Sequence, residues 1–421
     1  MEAQLDPIFQ GRVDSQALPG VAAVALNANG DVLFSKGYGN TISADKNSPT
    51  VAPSTPAMMW SCTKVVTCVA MLQLIEQGKA ELTDPASKHY PPIKDLKLLK
   101  GFNDDGTPNL VQPEKEILLL HLFTHTSGMA YDFFNADLLR WRVHAGQEPV
   151  SYVTKSSMEE YTSPLVFEPG TRYEYGPGID FLGLIIEKIS GMRLDKYVDK
   201  YISQPLGLKS TGVGLNDEQL NNFMTVHAKD AEGKLTPTPL RMKEDPEVMP
   251  GGHFLYSTTE DYAQFLLVLL NNGTHPKSNV QILKAETAKD YLFTDMLPQV
   301  GCSAAGVGEV PSIIAAVSCE GTMLPRAKKG WSLGGLTNYE DVPNGRKKGS
   351  LAWAGLGNCY WWVDQEEGKL GFVVSSYLPF FERDALHLAD ALERAVYGKE
   401  MATEIGEKGS NFSGGDYKVE T

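Results

Sequence analysis

Strand-like segments occur near both ends of this 421-residue chain, and the signals between them are mainly helical. Residues 20–40 predict two strands around an Asn-Gly turn, and residues 350–364 and 369–378 alternate like a second pair of strands. An amphipathic helix is predicted to follow at residues 382–398. This arrangement predicts a sheet to which both ends of the chain contribute, with a large helical insertion between them.

The middle of the chain carries helix signals, including glycines of the kind that often end a helix. Helices are predicted to open at Ser61 and to cover residues 116–125, 179–191, 194–204 and 258–273. We therefore expect a discontinuous α/β sheet domain over residues 1–80 and 325–400, and a mainly helical domain over residues 81–324. The polar, glycine-rich tail, residues 401–421, is expected to be flexible.

The composition disfavours several classes of protein. The net charge of −14 argues against nucleic acid and anionic membranes as partners, because both attract basic proteins. The five cysteines show no CxxC pair and no regular spacing, so neither a disulfide framework nor a zinc site is expected. The first residues are acidic and lack an apolar core, so no signal peptide is predicted, and no run is apolar enough to span a bilayer. We expect a cytoplasmic protein.

Ser61 and Lys64 lie three residues apart where a long apolar helix begins. Residues i and i+3 share one helix face, so the two side chains are expected to meet. The start of a helix favours developing negative charge at Ser61, and burial of the Lys64 amine favours its neutral form, which can act as a base. The pair is therefore the predicted nucleophile and base of a Ser-x-x-Lys enzyme. The same spacing at Ser43 and Lys46 lies in a polar loop and is rejected.

Two other motifs suggest different chemistry. Ser332 in GWSLG matches the G-x-S-x-G nucleophile elbow, but the polar residues around it predict a loop, and the histidine downstream of it, His387, lies in the terminal helix. His121 and His125 in HLFTH have the spacing of metal ligands, but Leu122 stands where a zinc protease has glutamate. We interpret both histidines as capped or packed and predict no metal site.

Seven segments together resemble one known superfamily. In order, they are PGVAAVALNANGDVLFSKGYG, SCTK, LFTHTSGM, YEYGPGIDFLGLIIEKISG, PLGLKSTG, PGGHFLYSTTEDYAQFL and KGSLAWAGLGNCYWWVD. Their order and spacing, over residues 18–398, are similar to the serine β-lactamase/penicillin-binding-protein superfamily on its class C and family VIII esterase side, especially to fungal acyltransferases of the lovastatin type. The resemblance implies an αβα sandwich with a central antiparallel sheet plus a helical domain, and an acyl-enzyme mechanism without metal or organic cofactor. It also implies that Ser61 is the nucleophile and Lys64 its proton partner.

The family's second motif, Y-x-N, falls on Tyr175, where Gly176 and Pro177 occupy the other two positions. The resemblance implies that Tyr175 shares a proton with the lysine and later protonates the leaving alcohol. A packed core aromatic is the alternative interpretation of this residue. Tyr173 is a neighbouring candidate, but the spacing from Gly170 favours Tyr175. The absent asparagine would hold an antibiotic's side-chain amide in β-lactamases.

The family's third motif, K-T-G, falls on Trp353, Ala354 and Gly355. The resemblance places these residues in the substrate-binding strand, where a tryptophan gives an apolar wall instead of a lysine that pairs with a carboxylate. The backbone N–H groups of Leu356 and Ser61 are implied to form the oxyanion hole. A tryptophan in a strand is also commonly part of the core, and that alternative stays open for Trp353.

These features predict a serine ester hydrolase or acyltransferase that acts on small-molecule esters or thioesters, with water or an alcohol as acceptor, in natural-product metabolism. A β-lactamase or D-alanyl-peptidase is the alternative enzyme, disfavoured by the absent lysine and asparagine. A catalytically inactive binding protein on the same fold is the alternative outside enzymes. The complete set of Ser61, Lys64 and Tyr175 argues against it.

Overall fold

The computed structural model describes residues 1–402 and 410–416. Its strands, β1 to β17 in chain order, are Val21–Asn27, Val32–Tyr38, Ala57–Met58, Leu98–Phe102, Pro108–Val111, His227–Lys229, Leu235–Pro237, Tyr256–Ser257, Glu309–Val310, Gly321–Met323, Lys329–Trp331, Leu336–Asn338, Leu351–Gly355, Cys359–Asp364, Lys369–Ser375, Tyr377–Leu378 and Phe412–Gly414. Its α-helices, α1 to α14, are Glu2–Asp14, Thr63–Glu76, Ala86–His89, Leu119–Phe123, Ala136–His144, Ser151–Lys155, Gly178–Ser190, Leu194–Val198, Gln204–Leu206, Asp217–Asn221, Thr259–Leu270, Ala285–Thr287, Leu297–Val300 and Arg383–Val396. Short 3-10 turns occur at Trp60–Cys62, Pro91–Asp95 and Met158–Thr162, and π turns at Asp199–Ser203 and Ala288–Leu292.

The largest sheet in the described part of the chain has seven antiparallel strands in the order β11-β12-β13-β14-β15-β1-β2. Strand β1 pairs with β15 from Val21 opposite Ser375 to Asn27 opposite Lys369. The N-terminal hairpin is thereby joined to the C-terminal strands. The predicted sheet, built from both ends of the chain, is confirmed.

Helices cover both faces of this sheet, because alternate residues of a strand point to opposite sides. On β1, Val21 and Ala23 belong to a core shared with α1 and α14, whereas Ala22 and Val24 belong to a core shared with α2 and α11. The result is an αβα sandwich, as the resemblance implies. The turn Trp60–Cys62, which carries Ser61 and leads into α2, contacts β13.

The middle of the chain departs in part from the prediction. Helix α7 ends as expected at Gly191, which has φ of 69°, and α11 begins at Thr258, whose side chain accepts from Asp261 N. Helix α4 is shorter than predicted, and the hairpins β4–β5 and β6–β7 interrupt the helical region. Helix α11 also packs on β1 and β15. This helix of the segment 81–324 is therefore part of a helical layer that covers the large sheet.

The prediction of a flexible tail is wrong for residues 412–414. These residues form β17, which pairs with β10 in a second, three-stranded sheet. Phe412 is buried there against Phe381 and Tyr360, so one aromatic residue fixes a segment whose composition is otherwise polar. Residues 403–409 and 417–421 lie outside the described residues.

No helix within residues 1–402 and 410–416 combines the length and apolar character needed to cross a bilayer. The five cysteines, Cys62, Cys68, Cys302, Cys319 and Cys359, are all buried thiols with no disulfide between them.

Candidate active site

Ser61 lies in the tight turn Trp60–Cys62 that leads directly into α2. Trp60, just before it, has φ of 49°, a left-handed conformation that costs energy in a residue with a side chain. The neighbours of Ser61 in the turn are buried, whereas Ser61 itself is partly exposed. The turn therefore presents the serine hydroxyl to a cavity at the start of the helix, as predicted.

Lys64 lies one helical turn further on, with 2% of its surface exposed. Its Nζ lies 3.2 Å from Ser61 Oγ, 3.0 Å from the Tyr131 hydroxyl and 3.2 Å from the Gly252 carbonyl oxygen. An ammonium has three N–H groups, and each of these three oxygens can accept one. The predicted contact of Lys64 with Ser61 is confirmed, and burial of the lysine with it.

Two tyrosines face Lys64, one of which was predicted. Lys64 Nζ lies 5.0 Å from the ring centre of Tyr175 and 5.3 Å from that of Tyr131. The Tyr131 hydroxyl is bonded to Lys64, while the Tyr175 hydroxyl accepts from the indole N–H of Trp353 at 3.0 Å. Burial, with Asp180 nearby, raises the pKa of Tyr131 well above its usual value. Tyr173, the other sequence candidate, is buried against His125 and Trp331.

Strand β13 forms the opposite wall of the site. Trp353, Ala354 and Leu356 line the same cavity as Ser61. Gly355 lies behind them, so close to the serine turn that a Cβ there would meet the Met59 carbonyl oxygen at 2.5 Å. A strand glycine of this kind marks a close approach of two backbones. The segment predicted to bind substrate is thus held against the predicted nucleophile.

The cavity and its open mouth together enclose about 580 Å³. Its lining is mainly aromatic and aliphatic: Trp60, Ser61, Tyr131, Phe133, Phe134, Val153, Tyr175, His253, Glu309, Val310, Met323, Trp353, Ala354, Leu356 and Phe380. Glu309 is the one Asp, Glu, Lys or Arg residue in this lining. Such a lining suits an uncharged, largely apolar molecule.

A buried ion cluster supports the wall that carries Tyr131. Arg142 Nε lies 3.2 Å from Asp132, the residue after Tyr131, and Arg142 Nη1 lies 2.6 Å from Glu160. Asp132 Oδ2 also accepts from the backbone N–H of Val150 at 2.7 Å. The side chains of this cluster are nearly inaccessible to solvent, so removal of one partner would leave a buried charge unpaired. The cluster joins the segments that carry Asp132, Arg142 and Glu160.

Around Lys64 lies a group of buried polar side chains that sequence reasoning missed. Asp180, on the first turn of α7, is fully buried, and His253 approaches it with Nδ1 at 3.6 Å from Oδ1. Burial and the charge of Lys64 lower the pKa of His253 to about 3. Tyr131, Asp180 and His253 all lie within or beside the quoted family segments. An aspartate in the apolar run GIDFLGLII was the signal that could have identified Asp180.

The structure does not give Ser332 the setting of a nucleophile elbow. Ser332 lies in the turn between strands β11 and β12, not between a strand and a helix. It is fully buried, and its Oγ accepts from the N–H groups of Gly334 and Gly335. The predicted loop is in fact a β-hairpin, but the rejection of this motif is confirmed.

The two histidines of HLFTH accept backbone N–H groups. His121 Nδ1 accepts from Leu118 N at 3.2 Å, and His125 Nδ1 from Gly176 N at 3.3 Å. The interpretation as capped or packed histidines is confirmed. Among the described residues no group of three or more His, Cys, Asp and Glu side chains is arranged to hold a metal ion.

Comparison with known proteins assigns the class. The chain matches the Beta-lactamase family over residues 5–395 and belongs to that family. It is 32% identical over 350 residues to the acyltransferase calJ of Penicillium decumbens, which covers 80% of each chain. It is 28% identical to lovastatin esterase of Penicillium rubens, over 94% of this chain and 99% of that protein.

Among solved structures, a mutant of simvastatin synthase from Aspergillus terreus superposes with a TM-score of 0.80. It is 26% identical in sequence and covers 94% of this chain and 96% of its own. The similarity extends over both the sheet and the helical region. The chain is therefore an enzyme of the serine acyltransferase and esterase type found among these relatives.

Proposed function

We propose that Ser61 carries the acyl group in transfer from an uncharged small-molecule ester or thioester to water or an alcohol. The observation that carries this proposal is the hydrogen bond between Ser61 Oγ and the buried Lys64 Nζ, at the edge of an apolar cavity. A serine hydroxyl is a weak nucleophile unless a neighbouring base accepts its proton. Lys64 has the position and the burial for that role.

In the first step, Ser61 Oγ attacks the carbonyl carbon while its proton passes to neutral Lys64. The negative oxygen that forms is stabilised by the backbone N–H groups of Ser61 and Leu356, which together are worth several kcal/mol in such sites. The proton then passes to the leaving oxygen or sulfur as the bond to it breaks. Water or an alcohol resolves the acyl-enzyme by the same steps in reverse.

Two tyrosines lie beside Lys64. The resemblance assigns the exchange of this proton to Tyr175, which lines the cavity beside Trp353. Tyr131 is the tyrosine whose hydroxyl is bonded to Lys64. We propose that Tyr175 protonates the leaving group, and that Tyr131, which also lines the cavity, orients the Lys64 amine through its hydrogen bond.

A β-lactamase is the less favourable function for this cavity. Trp353 stands where a β-lactamase has a lysine for the antibiotic carboxylate. Pro177 stands where it has an asparagine for the side-chain amide, and Pro177 lines a different cavity. Glu309, at the cavity wall, would repel a carboxylate. An unpaired carboxylate in this site costs several kcal/mol, enough to remove useful turnover.

The biological setting is proposed from the relatives and the cysteines. Relatives named for lovastatin and simvastatin chemistry support small-molecule acyl transfer in secondary metabolism. Five unpaired thiols support a reducing, cytoplasmic location.

The test is a substrate panel for the purified protein. p-Nitrophenyl butyrate, a butyryl thioester and nitrocefin would be compared, with and without a primary alcohol as acceptor. We expect turnover of the ester and thioester, with negligible nitrocefin hydrolysis, and all activity lost in Ser61→Ala. Efficient nitrocefin hydrolysis that is lost in Ser61→Ala would overturn the substrate class. No turnover of any of the three would overturn the function.

A further inference from the structure

Asp180 is a carboxylate in an otherwise apolar helix, and the proposed mechanism does not use it. Its side chain is fully buried. Oδ1 accepts from the backbone N–H of Gly252 at 3.0 Å and from the Tyr161 hydroxyl at 3.4 Å, whereas Oδ2 has no hydrogen-bond partner among the described residues. A buried carboxylate with an unsatisfied oxygen is costly, so its surroundings should show what offsets that cost.

Gly252 connects Asp180 to Lys64. Its N–H donates to Asp180, and its carbonyl oxygen accepts from Lys64 Nζ at 3.2 Å. A Cβ on Gly252 would meet Asp180 Oδ2 at 2.6 Å and Lys64 Nζ at 2.8 Å. The free carboxylate oxygen and the amine therefore lie on the same side of this residue, with no Gly252 side chain between them.

The other titratable groups around the pair do not supply a charge that competes with it near neutral pH. Burial and Lys64 lower the pKa of both His253 and His125. Burial and Asp180 raise the pKa of Tyr131, Tyr152 and Tyr161. Burial also raises the pKa of the thiols of Cys62 and Cys68, and Tyr175 contacts Lys64 through its ring.

We propose that Asp180 is the counter-ion of Lys64, a positioning residue that holds the amine as an ammonium in the resting enzyme. The proposal rests on the proposed role of Lys64 as base. An ammonium cannot accept the proton of Ser61, so Asp180 sets the pH at which the base becomes available. Burial raises the pKa of Asp180, and Lys64 and the Gly252 N–H oppose that rise.

The substitution Asp180→Asn tests this, because it keeps the shape and removes the charge. An opposite charge within about 4–6 Å shifts a pKa by about 1 to 3 units. We expect kcat/KM for p-nitrophenyl butyrate to rise with pH as Lys64 loses its proton. In Asp180→Asn this rise should move to lower pH by that amount. Glu187→Gln, which removes a half-buried carboxylate from the same helix, is the matched control and should leave the rise in place.

A second readout does not depend on activity. In protein labelled with [13C]lysine, the NMR signal of Lys64 is the one that disappears in Lys64→Met. This signal is followed as a function of pH to find where the ammonium loses its proton. A shift of that pH to a lower value in Asp180→Asn supports the proposal. An unchanged Lys64 titration overturns it, even where the ester is turned over. Where the wild type turns over no ester but Lys64 responds to Asp180→Asn, the proposed function fails and the counter-ion stands.

Gly252→Ala provides a test if Asp180→Asn does not fold. Its Cβ would force Asp180 Oδ2 and Lys64 Nζ apart. The Lys64 ammonium should again lose its proton at lower pH than in the wild type. An unchanged titration in a folded Gly252→Ala protein would contradict the proposed pairing.

Discussion

Gly355→Ala tests whether the close contact between β13 and the serine turn is needed for catalysis. A Cβ at this position would lie 2.5 Å from the Met59 carbonyl oxygen, and 3.2 Å from both Cys62 Sγ and Trp60 Cβ. Ordinary van der Waals contact begins at 3.4 Å. The strand and the turn must therefore separate by about 0.9 Å at the carbonyl oxygen, which is backbone and cannot rotate away as a flexible side chain would.

A separation of this size acts on both proposed oxyanion donors, because Ser61 lies on the turn and Leu356 directly follows Gly355. A misplacement of about 1 Å in an active site can reduce the rate about 100-fold. We therefore expect kcat/KM for p-nitrophenyl butyrate to fall about 100-fold in Gly355→Ala, mainly through kcat. Thermal unfolding measured on the same samples shows whether the variant is folded.

Gly11→Ala is the matched control. Gly11 lies within α1, where a Cβ would meet nothing within 4 Å, so the variant should keep wild-type activity and gain slightly in stability. Activity of Gly355→Ala within about threefold of the wild type would refute the reasoning, because the strand could then move from the serine turn without affecting the reaction.

Three further predictions follow from the contacts of the site. Tyr175→Phe is expected to lower kcat by orders of magnitude and to add little to the loss in Lys64→Ala, whereas strictly additive losses in the double mutant would mean that one of these residues is structural. Tyr131→Phe leaves a donor of Lys64 without its partner and should destabilise the protein by about 1–3 kcal/mol in urea unfolding, besides reducing activity. Arg142→Met leaves two buried carboxylates unpaired and should cost about 3–5 kcal/mol in the same assay; a loss below about 1 kcal/mol would show that the cluster does not hold the cavity wall.

The hairpin at residues 20–40, the strands after residue 350 and the terminal helix could be predicted because their patterns are local. Alternation and turn residues specify such elements without knowledge of the rest of the chain. The Ser61–Lys64 contact could be predicted for the same reason, since one helical turn sets the spacing.

What could not be predicted depends on distant parts of the chain. Tyr131 reaches Lys64 across 67 residues and Gly252 reaches it across 188 residues, and no periodicity in the sequence encodes those distances. The tail was misjudged because its mean composition is polar, while burial of one residue, Phe412, determines its packing. The packing of α11 on the sheet likewise depends on the path of the chain between them.

The central claim is that the acyl group is carried by Ser61. Incubation with p-nitrophenyl butyrate, a rapid acid quench and peptide mapping by mass spectrometry would locate the butyryl group directly. We predict that it is found on the peptide containing Ser61 and Lys64, that Ser61→Ala carries none, and that Ser332→Ala is acylated like the wild type. A butyryl group on Ser332, or ester turnover that persists undiminished in Ser61→Ala, would contradict the account.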